Sequence, residues 1–144
     1  MSITVENFTD CTTLPEVALP FMNAVHCAEL ALVGQLLAAL QNEAEHSSCD
    51  ALFAAWIQHT DEHFAREERF MQEYDFFATP CHQGEHQQAL QQLLAVQQYW
   101  LKERDAAGII GYISEWRDWL QNHIATMDFV TAQYLSQFPI AVEV

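Results

Sequence analysis

The sequence predicts an all-α protein, an up-down-up-down antiparallel four-helix bundle with an N-terminal arm. Apolar residues recur at helical spacing in four long stretches, the links between them are short, and no stretch alternates as a half-buried strand would. With 144 residues, 51% of them hydrophobic, the chain is one domain long enough to bury a substantial core. Four glycines and four prolines are too few for a disordered or fibrous chain. The reading divides the chain into an arm (1–18), a bundle (19–137) and a tail (138–144).

Pro15 and Pro20 punctuate the arm. From about Leu19 to Glu45, the residues Phe21, Val25, Leu30, Val33, Leu36, Leu37 and Leu40 form the stripe of a first helix. Ser47-Ser48-Cys49-Asp50 interrupts it, and Ser48 or Asp50 suits the N-cap of a second helix reaching about Tyr74. Its inward candidates are Leu52, Trp56, Phe64, Phe70 and Met71. Thr79 before Pro80 starts a third helix, which runs to about Arg104 and carries Leu90, Leu93, Leu94, Trp100 and Leu101. A fourth, after Gly108, holds Ile109, Ile113, Trp116, Leu120, Ile124, Met127 and Val130 and ends near Leu135.

Twenty acidic residues against five basic ones give a formal charge of −15. Such a surface repels phosphate backbones and anionic lipid heads, which argues against nucleic-acid and membrane partners. The first ten residues lack the basic flank and apolar run of a signal peptide, and Glu29 and Gln35 break the most apolar stretch, so no membrane-spanning segment is expected. Cys11, Cys27, Cys49 and Cys81 form no CxxC pair. Reduced thiols in a cytoplasmic monomer are the plain expectation, although the spacing leaves two disulfides open.

Seven histidines in so acidic a chain suit cations. His63 and Glu67 are four apart on the second helix, as are His82 and His86 on the third, and that spacing puts each pair on one face. His123 precedes Asp128 on the fourth helix, and His26 stands on the first. His26 lies about two turns into its helix, His82 and His86 occupy the first two turns of theirs, and the other two pairs lie roughly two turns before their helix ends. In an antiparallel bundle all seven fall in one layer. Five imidazoles and two carboxylates facing inward need a pair of metal ions to neutralise and saturate them, with the carboxylates bridging. The mixed nitrogen and oxygen set favours iron over manganese or zinc. Asp128, five residues after His123, falls about 140° off its face unless a local π-bulge widens the helix there.

The order His26, His63-Phe-Ala-Arg-Glu67, His82-Gln-Gly-Glu-His86, His123-Ile-Ala-Thr-Met-Asp128 resembles the hemerythrin family, over about Phe21 to Tyr134. The resemblance implies two iron ions with an oxo or hydroxo bridge. His82, His86 and His123 would hold one iron, His26 and His63 the other, with Glu67 and Asp128 bridging. It further implies that O2 binds at the open position of the two-histidine iron, in a dry pocket lined by Phe64, Trp119 and Leu120. Two positions depart from the family pattern. Asn23 replaces the usual Asp, a change expected to touch only a cap. Glu29 stands one turn after His26 where the family places an aliphatic pocket residue. At or on the open position it would favour redox turnover of peroxide or a small substrate over reversible O2 carriage.

The remaining candidates have plainer readings. His59 shares a face with His63 but lies a turn too far to ligate, which suits hydrogen bonding behind the ligands. His46 is a solvated helix end. Cys27 and Cys81 turn about 100° away from the neighbouring ligands and read as small packing residues. The favoured function is O2 storage, delivery or sensing. The alternative is a di-iron peroxidase or oxidase, and a signalling module is weakened because no output domain accompanies the bundle.

Overall fold

Each helix of the bundle begins and ends where local chemistry stops the backbone ladder. The computed structural model describes residues 3–142, and among them the regular elements are helices. These are α1 (Val5–Phe8), a 3-10 turn (Cys11–Thr13), α2 (Pro20–Gln41), α3 (His46–Glu73), α4 (Thr79–Glu103), α5 (Ala106–His123), a π-helical stretch (Ile124–Asp128) and α6 (Phe129–Leu135). Pro20 opens α2 at its first position, where no intrahelical N–H is needed. The third long helix starts with Thr79 and Pro80 inside it, capped by Ala78 rather than by Thr79. The fourth starts two residues before Gly108, because the Asp105 carboxylate accepts from the Gly108 amide at 3.0 Å and caps the turn. Glu45 is the N-cap of α3, so neither Ser48 nor Asp50 fills that role.

The three connections between long helices share one device. Glu43, Asp75 and Arg104 each adopt a left-handed backbone, with φ of 53°, 53° and 50°. Glycine usually fills such positions, and another residue there costs roughly 1–2 kcal/mol. The tight links set α2 beside α3, α3 beside α4, and α5 beside α2 and α4, as an antiparallel bundle.

The end of the bundle away from His26, His63, His82, His86 and His123 is an apolar core in which Leu36, Leu37, Phe53, Trp56, Trp100, Ile109 and Ile113 are buried. Leu94, Leu101 and Val130, expected on inward stripes, are exposed instead. Each lies at the edge of its stripe, where a small rotation of the helix turns it to solvent. By length and composition, α2 is apolar enough to cross a bilayer, which corrects the expectation that no segment would be. Half of its apolar window is buried inside the bundle, as the central helix of a packed core requires.

The arm is fastened to the bundle in four ways. Phe8 is buried against Trp116, with ring centroids 6.4 Å apart. Arg117 of α5 donates to the Phe8 carbonyl at 2.8 Å and to the Thr13 hydroxyl at 2.5 Å. Asn23 accepts from the Val17 amide at 2.9 Å and donates to the Val17 carbonyl at 3.0 Å. An aspartate could make only the first of these bonds, so the change at this position does more than alter a cap. Gly34 leaves room for Thr9, whose side chain would collide with any Cβ there.

The fourth fastening is a disulfide between Cys11 and Cys27, with Cα atoms 5.4 Å apart. It corrects the expectation of four reduced thiols and of Cys27 as a packing residue, and it weakens the argument from thiols to a cytoplasmic setting. Cys49 is free and buried; Cys81 is free and exposed, so it does not pack either. Closing a loop between cysteines 16 residues apart restricts the unfolded chain and stabilises the fold by about 3 kcal/mol. Denaturant titration with and without a thiol reductant should show this loss, and Cys11→Ser should match the reduced protein.

Candidate metal centre

Four long helices deliver polar side chains to one layer of the core. His26 comes from α2, His63 and Glu67 from α3, His82 and His86 from α4, and His123 from the end of α5. The π-helical stretch ends on Asp128. Its wider turn accommodates the five-residue step, so Asp128 and His123 both point inward and both are wholly buried. The seven predicted ligand positions are all at most 2% exposed.

Two sets of atoms converge. One set comprises Glu67, His82, His86, His123 and Asp128, the other His26, His63, Glu67 and Asp128, and within each the ligand atoms lie within 4.8 Å of one another. The two carboxylates belong to both. Glu67 turns Oε2 to His63 Nε2 at 2.6 Å and Oε1 to His82 and His86 Nε2, each at 3.4 Å. Asp128 turns Oδ2 to His26 Nε2 at 2.9 Å and Oδ1 to His82 and His123 Nε2 at 3.1 and 3.2 Å. Each carboxylate therefore presents one oxygen to each set.

Five of the inward atoms are not satisfied by their neighbours. His26 Nε2, His86 Nε2, Glu67 Oε1 and both Asp128 oxygens lack a hydrogen bond of acceptable geometry, although His26 Nε2 and Asp128 Oδ2 are close. The Nε2 atoms of His82 and His123 face each other at 3.3 Å. Buried polar atoms left in this way are costly. Crowded donors aimed at common points, yet misaligned for hydrogen bonds, fit metal ions.

The outward nitrogens have partners of their own. His82 Nδ1 donates to Thr131 Oγ1 at 2.7 Å, and the Thr131 hydroxyl in turn points to Met71 Sδ at 4.0 Å. His86 Nδ1 donates to Glu68 at 3.0 Å, His123 Nδ1 to Glu85 at 2.7 Å, and His63 Nδ1 to Glu29 at 3.3 Å. A carboxylate can only accept, so Glu29, Glu68 and Glu85 place a ring proton on Nδ1, which leaves Nε2 as the atom that a metal ion would take. Among the described residues His26 Nδ1 has no such partner.

Glu29 is buried, and neither converging set contains it. Three residues beyond His26, the helix has rotated its side chain toward α3, where Oε1 meets His59 Nδ1 at 3.1 Å and the outer nitrogen of His63. The expected position beside an open coordination site thus differs from the observed one, behind a ligand. Phe64 stacks on His86, with centroids 3.9 Å apart and planes 5° from parallel, and Trp119 stacks on His123 at 4.7 Å. Both aromatic rings therefore flank the three-histidine set, while Leu120 is buried in the neighbouring core. His46 is exposed at the start of α3. Glu85 and Thr131 were not foreseen, because each serves a histidine on another helix and no spacing along the chain marks it.

The charges are strongly coupled. Burial pulls the His123 imidazole down, but Asp128 and then Glu85 outweigh it and push its pKa up to about 9. Burial lowers His63 likewise, and Glu67 with Glu29 holds it well above the usual histidine range. Burial raises Glu67, yet His63 keeps it well below the usual carboxylate range. Burial and the Glu67 charge both raise Asp128, but His123 and His26 bring it far below normal. The site holds its carboxylates ionised and demands positive charge beside them.

This arrangement defines a metal-binding helical bundle of the hemerythrin type. Residues 17–135 match the hemerythrin HHE cation binding domain, and the chain belongs to that family. It is 33% identical over 116 residues to a bacteriohemerythrin of Aquifex aeolicus (strain VF5), covering 80% of this chain and 88% of that protein. To a bacteriohemerythrin of Ralstonia nicotianae (strain ATCC BAA-1114 / GMI1000) it is 30% identical over 122 residues, covering 83% and 86%.

Protein stripped of metal by a chelator should show the proton's role directly. His123 has its pKa raised from 6.5 to about 9 on folding, so its ion pairs stabilise fully below pH 6.5 and are lost as pH rises through about 9. Urea midpoints of the stripped protein should therefore fall between pH 6.5 and 9.5, and a flat profile would contradict the assignment.

Proposed function

We propose that this chain binds O2 reversibly at a pair of iron ions, for storage, delivery or sensing. The reading rests above all on the two carboxylates, each offering one oxygen to each histidine set. In it, His82, His86 and His123 would hold one iron and His26 and His63 the other, with Glu67 and Asp128 each offering one oxygen to both. The two-histidine set offers one nitrogen donor fewer, so an open position would fall on that side. The iron pair, when bound, supplies two electrons to O2 and recovers them on release.

The chain's own residues make that chemistry selective. Glu67 and Asp128 carry two negative charges into the core, which offset much of the charge of the cations. Phe64, Trp119 and Leu120 keep water from the layer, and a dry site protects a reduced centre from proton-assisted oxidation. Glu85, Glu68 and Thr131 orient the three-histidine side. Because Glu29 lies behind His63, the placement supports carriage over a Glu29-driven peroxidase.

Iron-loaded protein, reduced without air and then exposed to it, should gain a visible charge-transfer band that inert-gas purging bleaches. Immediate and permanent oxidation without that band would refute reversible binding. His86→Ala or Asp128→Ala should lower iron from two per chain to one or none, measured by metal analysis; unchanged content would refute the ligand assignment.

A further inference from the structure

The two sides of the centre are backed differently, and Glu29 is where they differ most. Among the carboxylates that accept from ligand histidines, Glu68 and Glu85 have side chains 22% and 25% exposed, whereas that of Glu29 is 3% exposed. On the three-histidine side every outward nitrogen has an acceptor. On the other side, among the described residues, His26 Nδ1 has none and Glu29 is the one acceptor. A buried acceptor is screened less than a wetted one and acts more strongly on its ring.

Glu29 is itself fixed. One oxygen, Oε1, accepts from both His59 Nδ1 and His63 Nδ1, whose rings lie one turn apart on α3. His59 is 26% exposed and lines a cavity of about 320 Å³ with Ala24, Val25, Ala28, Glu62 and Arg66. A ring open to solvent thus connects through one carboxylate oxygen to a ligand ring.

We infer that Glu29, clamped by His59, is a positioning carboxylate that orients His63 and sets the redox poise of the two-histidine side of the centre. The inference rests on the ligand assignment proposed above. A carboxylate on Nδ1–H fixes the tautomer and makes Nε2 a stronger donor. Stronger donation favours the higher oxidation state, so Glu29 lowers the reduction potential of the side that meets O2. His59 keeps the carboxylate turned toward Nδ1. A merely structural ion pair would contribute to folding and leave the metal's properties alone.

The test uses full-length protein with Glu29→Gln, Glu29→Leu and His59→Ala, each checked for helicity by circular dichroism. Cobalt(II) titration reads metal affinity independently of O2, and spectroelectrochemistry of the iron form reads the potential. Glu29→Leu should weaken one of two cobalt equivalents by about 10–100-fold and spare the other. Glu29→Gln keeps an acceptor without its charge, so affinity should return toward wild type while the potential stays shifted positive. His59→Ala should shift the potential the same way by less, which tests the clamp even if Glu29→Leu fails to fold. Wild-type affinity and potential in both Glu29→Gln and His59→Ala would overturn the inference. A wild-type chain that binds two cobalt ions but gives no reversible O2 band would lose the O2 reading. This inference would survive that result provided Glu29→Gln or Glu29→Leu still disturbs one equivalent or the potential.

Discussion

Five imidazoles and two carboxylates buried in one layer cannot satisfy one another, and much of the architecture follows from that. His26 Nε2, His86 Nε2, Glu67 Oε1 and both Asp128 oxygens converge without a hydrogen bond of acceptable geometry. Cations at those points would satisfy them. The register of the long helices and the π-helical stretch before Asp128 serve to bring those atoms to common points. The outer acceptors Glu29, Glu68, Glu85 and Thr131 then determine which nitrogen of each ring faces in. The rest of the molecule supplies the rigidity that such convergence needs.

That rigidity is unevenly distributed. One end of the bundle is close-packed around Trp56, Trp100, Phe53 and the leucines of α2. There the Trp100 indole donates to Asp50 at 2.8 Å while, among the described residues, the buried Trp56 indole N–H meets no acceptor. The ligand end is reinforced from outside. The arm crosses α2 and α5, and its disulfide joins α2 at the residue after His26. The aromatic rings stacked on His86 and His123 stiffen the far side of the same layer.

The bundle was legible in the sequence because helical spacing and short links are local properties. The ligand layer was legible because turns can be counted from helix ends, and the step from His123 to Asp128 demanded the π-bulge that is present. Rotation about a helix axis was harder to read. Glu29 was placed at the right level, but the direction it faces depends on how α2 packs against α3. Leu94, Leu101 and Val130 went astray for the same reason. The pairing of Cys11 with Cys27 depends on how the arm folds back, which spacing does not encode. The left-handed turns at Glu43, Asp75 and Arg104 carry no glycine to announce them.

The π-helical stretch also fixes the phase of everything that follows it. One additional residue per turn between Ile124 and Asp128 rotates α6 as a body. Thr131 meets His82, and Ala132 and Leu135 meet the core, only because that rotation has been made. One residue more than an ordinary helix of the same phase would need is thereby absorbed between His123 and Thr131. Straightening the stretch at constant length would swing Asp128, Thr131 and Leu135 off their faces, whereas taking out one residue as it straightens would keep them in phase. The five-residue step from His123 to Asp128 is thus the equivalent of an ordinary four-residue one.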